Sequence, residues 1–187
     1  MISAAHQRLR DATRDAHQRL EDRADVLGRT RTAAARRDLV EAFCGLHADA
    51  EAALAPWLAD LAGLDFEARR RSSHLAADLA VVGGKPPPPH PIAITSRGEA
   101  LGLMYVLEGS TLGGRVIRRQ VVGQGGDMAG LSFLDPYGEQ VGERWKSFLA
   151  VVEAEARTDA DAEAMIAGAN AGFRHAEQRL CGMRADG

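Results

Sequence analysis

The chain has 187 residues, is 45% hydrophobic and 26% charged, and carries a formal net charge of −3. That is enough chain for one domain with a substantial core, and it offers no global basic field for nucleic acid. Cys44 and Cys181 form no CxxC, no apolar run reaches the length of a membrane span, and Met1 to Arg10 lacks a signal-peptide core, so the expected setting is soluble, reducing and cytoplasmic.

Alanine is abundant and β-branched runs are rare, so nearly every segment reads as helix. The first helix is expected from about Ser3 to Asp22, with Leu9, Ala12, Thr13, Ala16 and Leu20 on one face. A second is expected from about Thr32 to Leu54, with Leu39, Phe43, Leu46 and Ala50 inward. Pro56 should break or kink it, and Trp57, Leu58 and Leu61 continue the apolar surface. A third covers roughly Asp65 to Val82. Gly83 to Pro91 holds a run of four prolines and reads as an extended connector within one domain. A long helix follows from about Ser96 to Val122, stopped by the glycines between Gly123 and Gly130. Phe133 to Gly138 is a turn, and a helix runs from about Tyr137 to Ala156. Thr158 and Asp161 have the spacing of an N-cap pair, and the last helix reaches about Met183. The expected architecture is all-α: a single-domain helical bundle over residues 1–187, with short loops.

The segment Tyr105 to Ile117 is the most unusual. Its flanks are helical, yet it holds Gly109, Gly113 and Gly114 and no proline. Each glycine costs a helix about 1 kcal/mol relative to alanine. At 100° per residue, Gly102, Gly109 and Gly113 fall within about 40° of one another. One side of this helix is therefore bare, and it can receive another helix or a flat ligand.

Six histidines are present. If the flat ligand is a heme, its iron needs an axial ligand, commonly a neutral histidine. His90 lies among prolines and is a poor candidate, while His47 and His74 read as ordinary boundary histidines. His17 sits about 80° from Leu9, at the edge of the buried face, with Glu21 one turn later. A carboxylate there can accept from the imidazole and fix its tautomer.

The run Leu9 to His17, with the glycine helix, resembles the heme oxygenase family, in particular its bacterial biliverdin-forming branch. The likeness spans roughly Leu9 to Phe173 and includes Phe133, Tyr137, Gly138, Trp145 and Phe148. It implies a heme-oxygenase-like bundle in which heme is both cofactor and substrate. It makes His17 the iron ligand, Glu21 its outer carboxylate and Arg10 a contact to a heme propionate. Tyr105 to Ile117 becomes the helix over the other face of the heme, with Gly109 and Gly113 turned to it. Ser110 stands where animal members carry an aspartate that organises water, so the proton path must use Ser110, ordered water, backbone carbonyls or another helix. Gly109, Ser110 and Gly113 are the expected catalytic segment.

Arg118, with Arg115 and Arg119, can hold propionates or dock an acidic electron donor such as a ferredoxin or flavodoxin with its reductase. Arg29, Arg31, Arg36 and Arg37 extend that docking surface. Arg14 fits a solvated face better. Among the aromatics, Phe173 is the expected pocket residue. The products are biliverdin, CO and ferrous iron, and a biliverdin-accepting photoreceptor is a further partner. Nucleic acid and membrane are not expected partners. The rival readings are a non-catalytic heme-binding or heme-delivery protein, and a heme-free bundle such as the thiamine-degrading branch that shares this architecture.

Overall fold

A computed structural model describes residues 3–182. Seven α-helices occur among the described residues: α1 (Ala4–Ala24), α2 (Val26–Arg29), α3 (Ala33–Leu58), α4 (Ser72–Val82), α5 (Arg97–Gly123), α6 (Val141–Glu155) and α7 (Asp159–Cys181). Short 3-10 turns at Glu67–Arg69, Ser132–Leu134 and Gly138–Gln140 complete the chain, and no strand is present among the described residues. The all-α expectation holds. The Met183 boundary lies outside the described residues; the last helix is assigned to Cys181.

Local chemistry explains most helix ends. Ser3, Thr32, Ser96 and Thr158 are the N-caps of α1, α3, α5 and α7, each side chain accepting a backbone N–H of the first turn. Thr158 and Asp161 form the reciprocal capping box that their spacing suggested. Asp25 ends α1 in the left-handed region, and its side chain accepts from Gly28, starting the one-turn α2 that the sequence did not reveal.

Three boundaries depart from the sequence reading. Pro56 does not end α3, which runs on to Leu58 because the proline falls in its last turn and Leu54 and Leu58 are both fully buried. The helix expected from Asp65 begins only at Ser72. Asp65 has a φ of 54° and Arg70 is extended, so the intervening residues cannot propagate a helix. The first amides of α4 are instead capped from afar: Glu51 of α3 accepts from the N–H of Arg71 and of Ser72. The helix expected from Tyr137 begins at Val141, after a 3-10 turn.

α7 packs against α1, α3 and α5, and α3 also packs against α4 and α5. The core is a continuous apolar cluster that includes Leu39, Leu54, Leu101, Leu103, Phe148 and Met165. Where α5 crosses α7, two glycines meet the opposing backbone. A Cβ on Gly102 would lie 1.9 Å from the Met165 carbonyl, and one on Gly168 would lie 1.9 Å from the Glu99 carbonyl. The bare face of α5 therefore serves two purposes. Gly102 receives a helix, whereas Gly109 and Gly113 do not: a Cβ on Gly109 would meet only the Trp145 ring, at 3.9 Å, and one on Gly113 would meet nothing within 4 Å. Gly102→Ala should cost about 1–3 kcal/mol in urea unfolding, as overpacking does. Gly113→Ala should stabilise the ligand-free chain by up to about 1 kcal/mol through helix propensity. Equal effects of the two would refute this division.

Candidate active site

Gly109 and Gly113 open onto a cavity of about 650 Å³, within the size range of cofactor sites. α1 forms one wall with Arg10, Thr13, Arg14, His17 and Glu21. α5 forms another with Tyr105, Gly109, Ser110 and Gly113. α3 contributes Phe43, Leu46 and His47, α7 contributes Phe173 and Ala176, and Phe133 and Trp145 close the sides. Residues more than 150 positions apart thus line one space.

His17 projects from α1 with 58% of its side chain exposed. Its ring meets the edge of Phe173 at 5.8 Å. Its Nε2 lies 3.6 Å from Glu21 Oε1, too long for a direct hydrogen bond and within reach of a bridging water. Tyr105 packs on Trp145, with His6 behind both rings, and burial raises its hydroxyl pKa. The Ser110 hydroxyl donates to the Leu107 carbonyl at 2.6 Å, and Thr111 donates to the Glu108 carbonyl at 2.7 Å. Ser110 therefore turns oxygen lone pairs, rather than its proton, towards the cavity.

Arg10 lines the cavity and is exposed at its mouth; Arg14 also lines it and pairs with Asp11. Arg118 is not brought to the cavity. Its Nε sits 3.6 Å from Asp135 Oδ2, because the 132–140 segment packs on that side of α5. Arg115 likewise donates to the Gly138 carbonyl and to Glu139. Arg36 and Arg29 are structural staples: Arg36 bonds Thr30, Asp127 and Ala129, and Arg29 donates to the Leu180 carbonyl.

Sequence reasoning missed a buried polar cluster behind α5. Glu108 is 1% exposed and accepts from Arg69 at 2.5 Å, from Tyr137 at 2.7 Å and from Arg71 at 3.4 Å. Arg71 lies over the Tyr137 ring at 4.2 Å and lines the cavity. Burial and the neighbouring carboxylate push the Tyr137 hydroxyl up to about 12, so it remains a donor to Glu108. The one available signal was an acid placed directly after the apolar run Leu103 to Leu107. The run Arg69-Arg70-Arg71 reads as a solvated charge patch, and nothing in its spacing shows that residues 69 and 71 turn inward.

His47, read from sequence as an ordinary boundary histidine, is buried and lines the cavity beside Phe43. Burial, with Arg71 nearby, lowers its pKa from 6.5 to about 3. The folded chain keeps His47 neutral, whereas the unfolded chain protonates it below about 6.5. Between these values the unfolded state binds more protons, so stability falls as pH drops from about 6.5 towards 3. The urea midpoint of a His47→Leu variant should depend less steeply on pH across this window. Burial lowers His175 as well, so part of the slope persists. Identical slopes would remove His47 from the account.

A curated heme oxygenase of Xanthomonas campestris pv. campestris is 37% identical over 128 residues, which cover 67% of this chain and 76% of that protein. The chain belongs to the heme oxygenase family. No family model matches it. Among solved structures, the NO- and CO-bound heme oxygenase of Neisseria meningitidis superposes with a TM-score of 0.77 at 19% identity, covering 97% of this chain and 94% of that one. The heme oxygenase of Leptospira interrogans gives 0.77 at 16% identity, over 96% and 100%. Heme oxygenase-1 of the cyanobacterium Synechocystis, solved in complex with heme, gives 0.75 at 17% identity, over 96% and 91%. These three share the fold of this chain. The cavity fits the group that names the family: one imidazole stands on α1, two positions on α5 lack side chains, and aromatic rings line the sides. Among the described residues, no helix is long and apolar enough to cross a membrane.

Proposed function

We infer that this heme oxygenase binds heme between α1 and α5 and cleaves it, with O2 and external electrons, to biliverdin, carbon monoxide and ferrous iron. The observation that carries the reading is one cavity lined both by the His17 imidazole on α1 and by side-chain-free positions on α5. Bound heme supplies the iron that takes up O2 and electrons and the ring carbon that is oxidised. The chain binds, orients and excludes.

His17 would hold the heme iron, and its neutral imidazole would give the iron less electron push than a thiolate. Glu21 orients that imidazole through a bridging water. Gly109 and Gly113 let the main chain approach the ligand, and Ser110 holds water by its lone pairs. Arg10 pairs with a propionate at the mouth, where the carboxylate stays hydrated. Tyr105 and Phe173 pack against the macrocycle. Arg118 and Arg119 are exposed outside the cavity and suit docking of an acidic ferredoxin or flavodoxin, served by its reductase. A biliverdin-accepting photoreceptor is a fitting recipient of the product, and the cytoplasm a fitting compartment.

Anaerobic reconstitution with hemin, then ascorbate or a ferredoxin system with oxygen, tests the reading, with products separated by chromatography. Biliverdin is the expected product. A Soret band unchanged through the cycle would leave a heme carrier, and no spectral response to hemin would leave a heme-free bundle.

A further inference from the structure

The buried cluster behind α5 has unequal partners. Arg69 is well partnered: its guanidinium donates to Glu108, the Leu64 and Arg144 carbonyls and the Ser147 hydroxyl. Tyr137 takes a further share of Glu108, at 2.7 Å. Arg71 reaches Glu108 only at 3.4 Å and otherwise meets Tyr137, although its side chain is only 4% exposed. Two arginines thus share one carboxylate, and the weakly partnered one borders the cavity. A nearly buried guanidinium whose carboxylate is distant and shared is incompletely compensated, and an anion placed against it adds compensation. His47 beside it stays neutral and adds no competing positive charge.

We propose that Arg71 is an anion-binding group inside the cavity, which pairs with a small anionic ligand taken up on the side of the heme turned to α5. The inference rests on the heme-binding reading above. The side follows from connectivity: Arg71 is bonded to Glu108, the residue directly before Gly109. A heme propionate has the same anionic chemistry, but flexible carboxylates favour the hydrated mouth, where the exposed Arg10 and Arg14 stand, over a guanidinium that is nearly buried. With Ser110 committed to the Leu107 carbonyl, Arg71 supplies a charged donor to the cavity beside α5.

The test titrates azide, fluoride and neutral imidazole into the ferric hemin complexes of the full chain, its Arg71→Met variant and its Arg71→Lys variant, at one fixed pH. Azide and fluoride affinities should fall about 10- to 100-fold in Arg71→Met, the span of a charge-assisted hydrogen bond. Imidazole affinity should stay within about twofold, and Arg71→Lys should lie between Met and wild type for the anions. Should Arg71→Met fold poorly, the anion-to-imidazole ratio of Arg71→Lys carries the test alone. Equal changes for anions and imidazole, or none, overturn the proposal. If Arg71→Met weakens hemin but not hemin dimethyl ester, with azide unaffected, Arg71 holds a propionate and the proposal is wrong. Failure of the wild-type chain to take up hemin would instead refute the functional reading itself.

Discussion

Replacing His17 with alanine should leave the fold intact and remove the axial ligand. Most of the side chain is exposed, and it meets Phe173 edge-on and approaches Glu21 at 3.6 Å. No core volume is lost, and alanine is a better helix former than histidine. Thermal stability of the ligand-free variant should match wild type to within about 1 kcal/mol. Hemin should still enter the cavity, because the apolar walls and Arg10 remain, but the ferric and reduced-CO spectra should lose their histidine-ligated character. Turnover should fall by more than the ~10- to 100-fold that loss of an outer partner costs. Added imidazole should restore part of the spectrum, since the cavity then has room for a free ring. Glu21→Gln should show a smaller loss with the ligand still in place. Wild-type spectra from His17→Ala would transfer ligation to another residue, and His47 would then be the side chain to examine.

Glu108→Ala should be the most destabilising single change at the site, by about 3–5 kcal/mol. The carboxylate is 1% exposed and serves Arg69, Arg71 and Tyr137 together. Removing it leaves two buried guanidinium groups without their counter-charge and a buried hydroxyl without its acceptor. For a chain of this size the melting temperature should drop on the order of 10 °C. Glu108→Gln keeps the shape and one acceptor oxygen but not the charge, and should lie between alanine and wild type. A Glu108→Ala variant that melts with wild type would mean that water replaces the carboxylate and that the cluster contributes little. The same variant also tests how the α5 wall is held, because the cluster ties Gly109 to the Glu67–Arg69 turn and to Tyr137. Heme uptake should weaken along with stability.

The readable parts of the molecule were those governed by neighbours in sequence. The caps at Ser96 and Thr158 depend on a hydroxyl and an amide three residues apart, so they appear in the sequence as plainly as in the structure. The inward faces of α1 and α3 follow from a 3.6-residue period and recur with small exceptions, such as Ala12, which is exposed. Of the residues expected at the site, Arg10, His17, Glu21, Tyr105, Gly109, Ser110, Gly113 and Phe173 line one cavity, whereas Arg118 turns away to Asp135. The α4 start was misplaced because its amides are capped by Glu51, 20 and 21 residues earlier in the chain.

The amino-acid order alone settled the all-helical class, most helix ends and a stretch of α5 stripped of side chains, because backbone hydrogen bonding, capping and periodicity act over a few residues. It could not divide those glycines between a helix crossing and an open cavity, nor turn Arg69 and Arg71 inward to Glu108. Those outcomes depend on which surfaces meet once the helices pack. A charge leaves water only when a partner from elsewhere in the chain is there to receive it, and a glycine's missing side chain acquires a purpose only from what lies opposite.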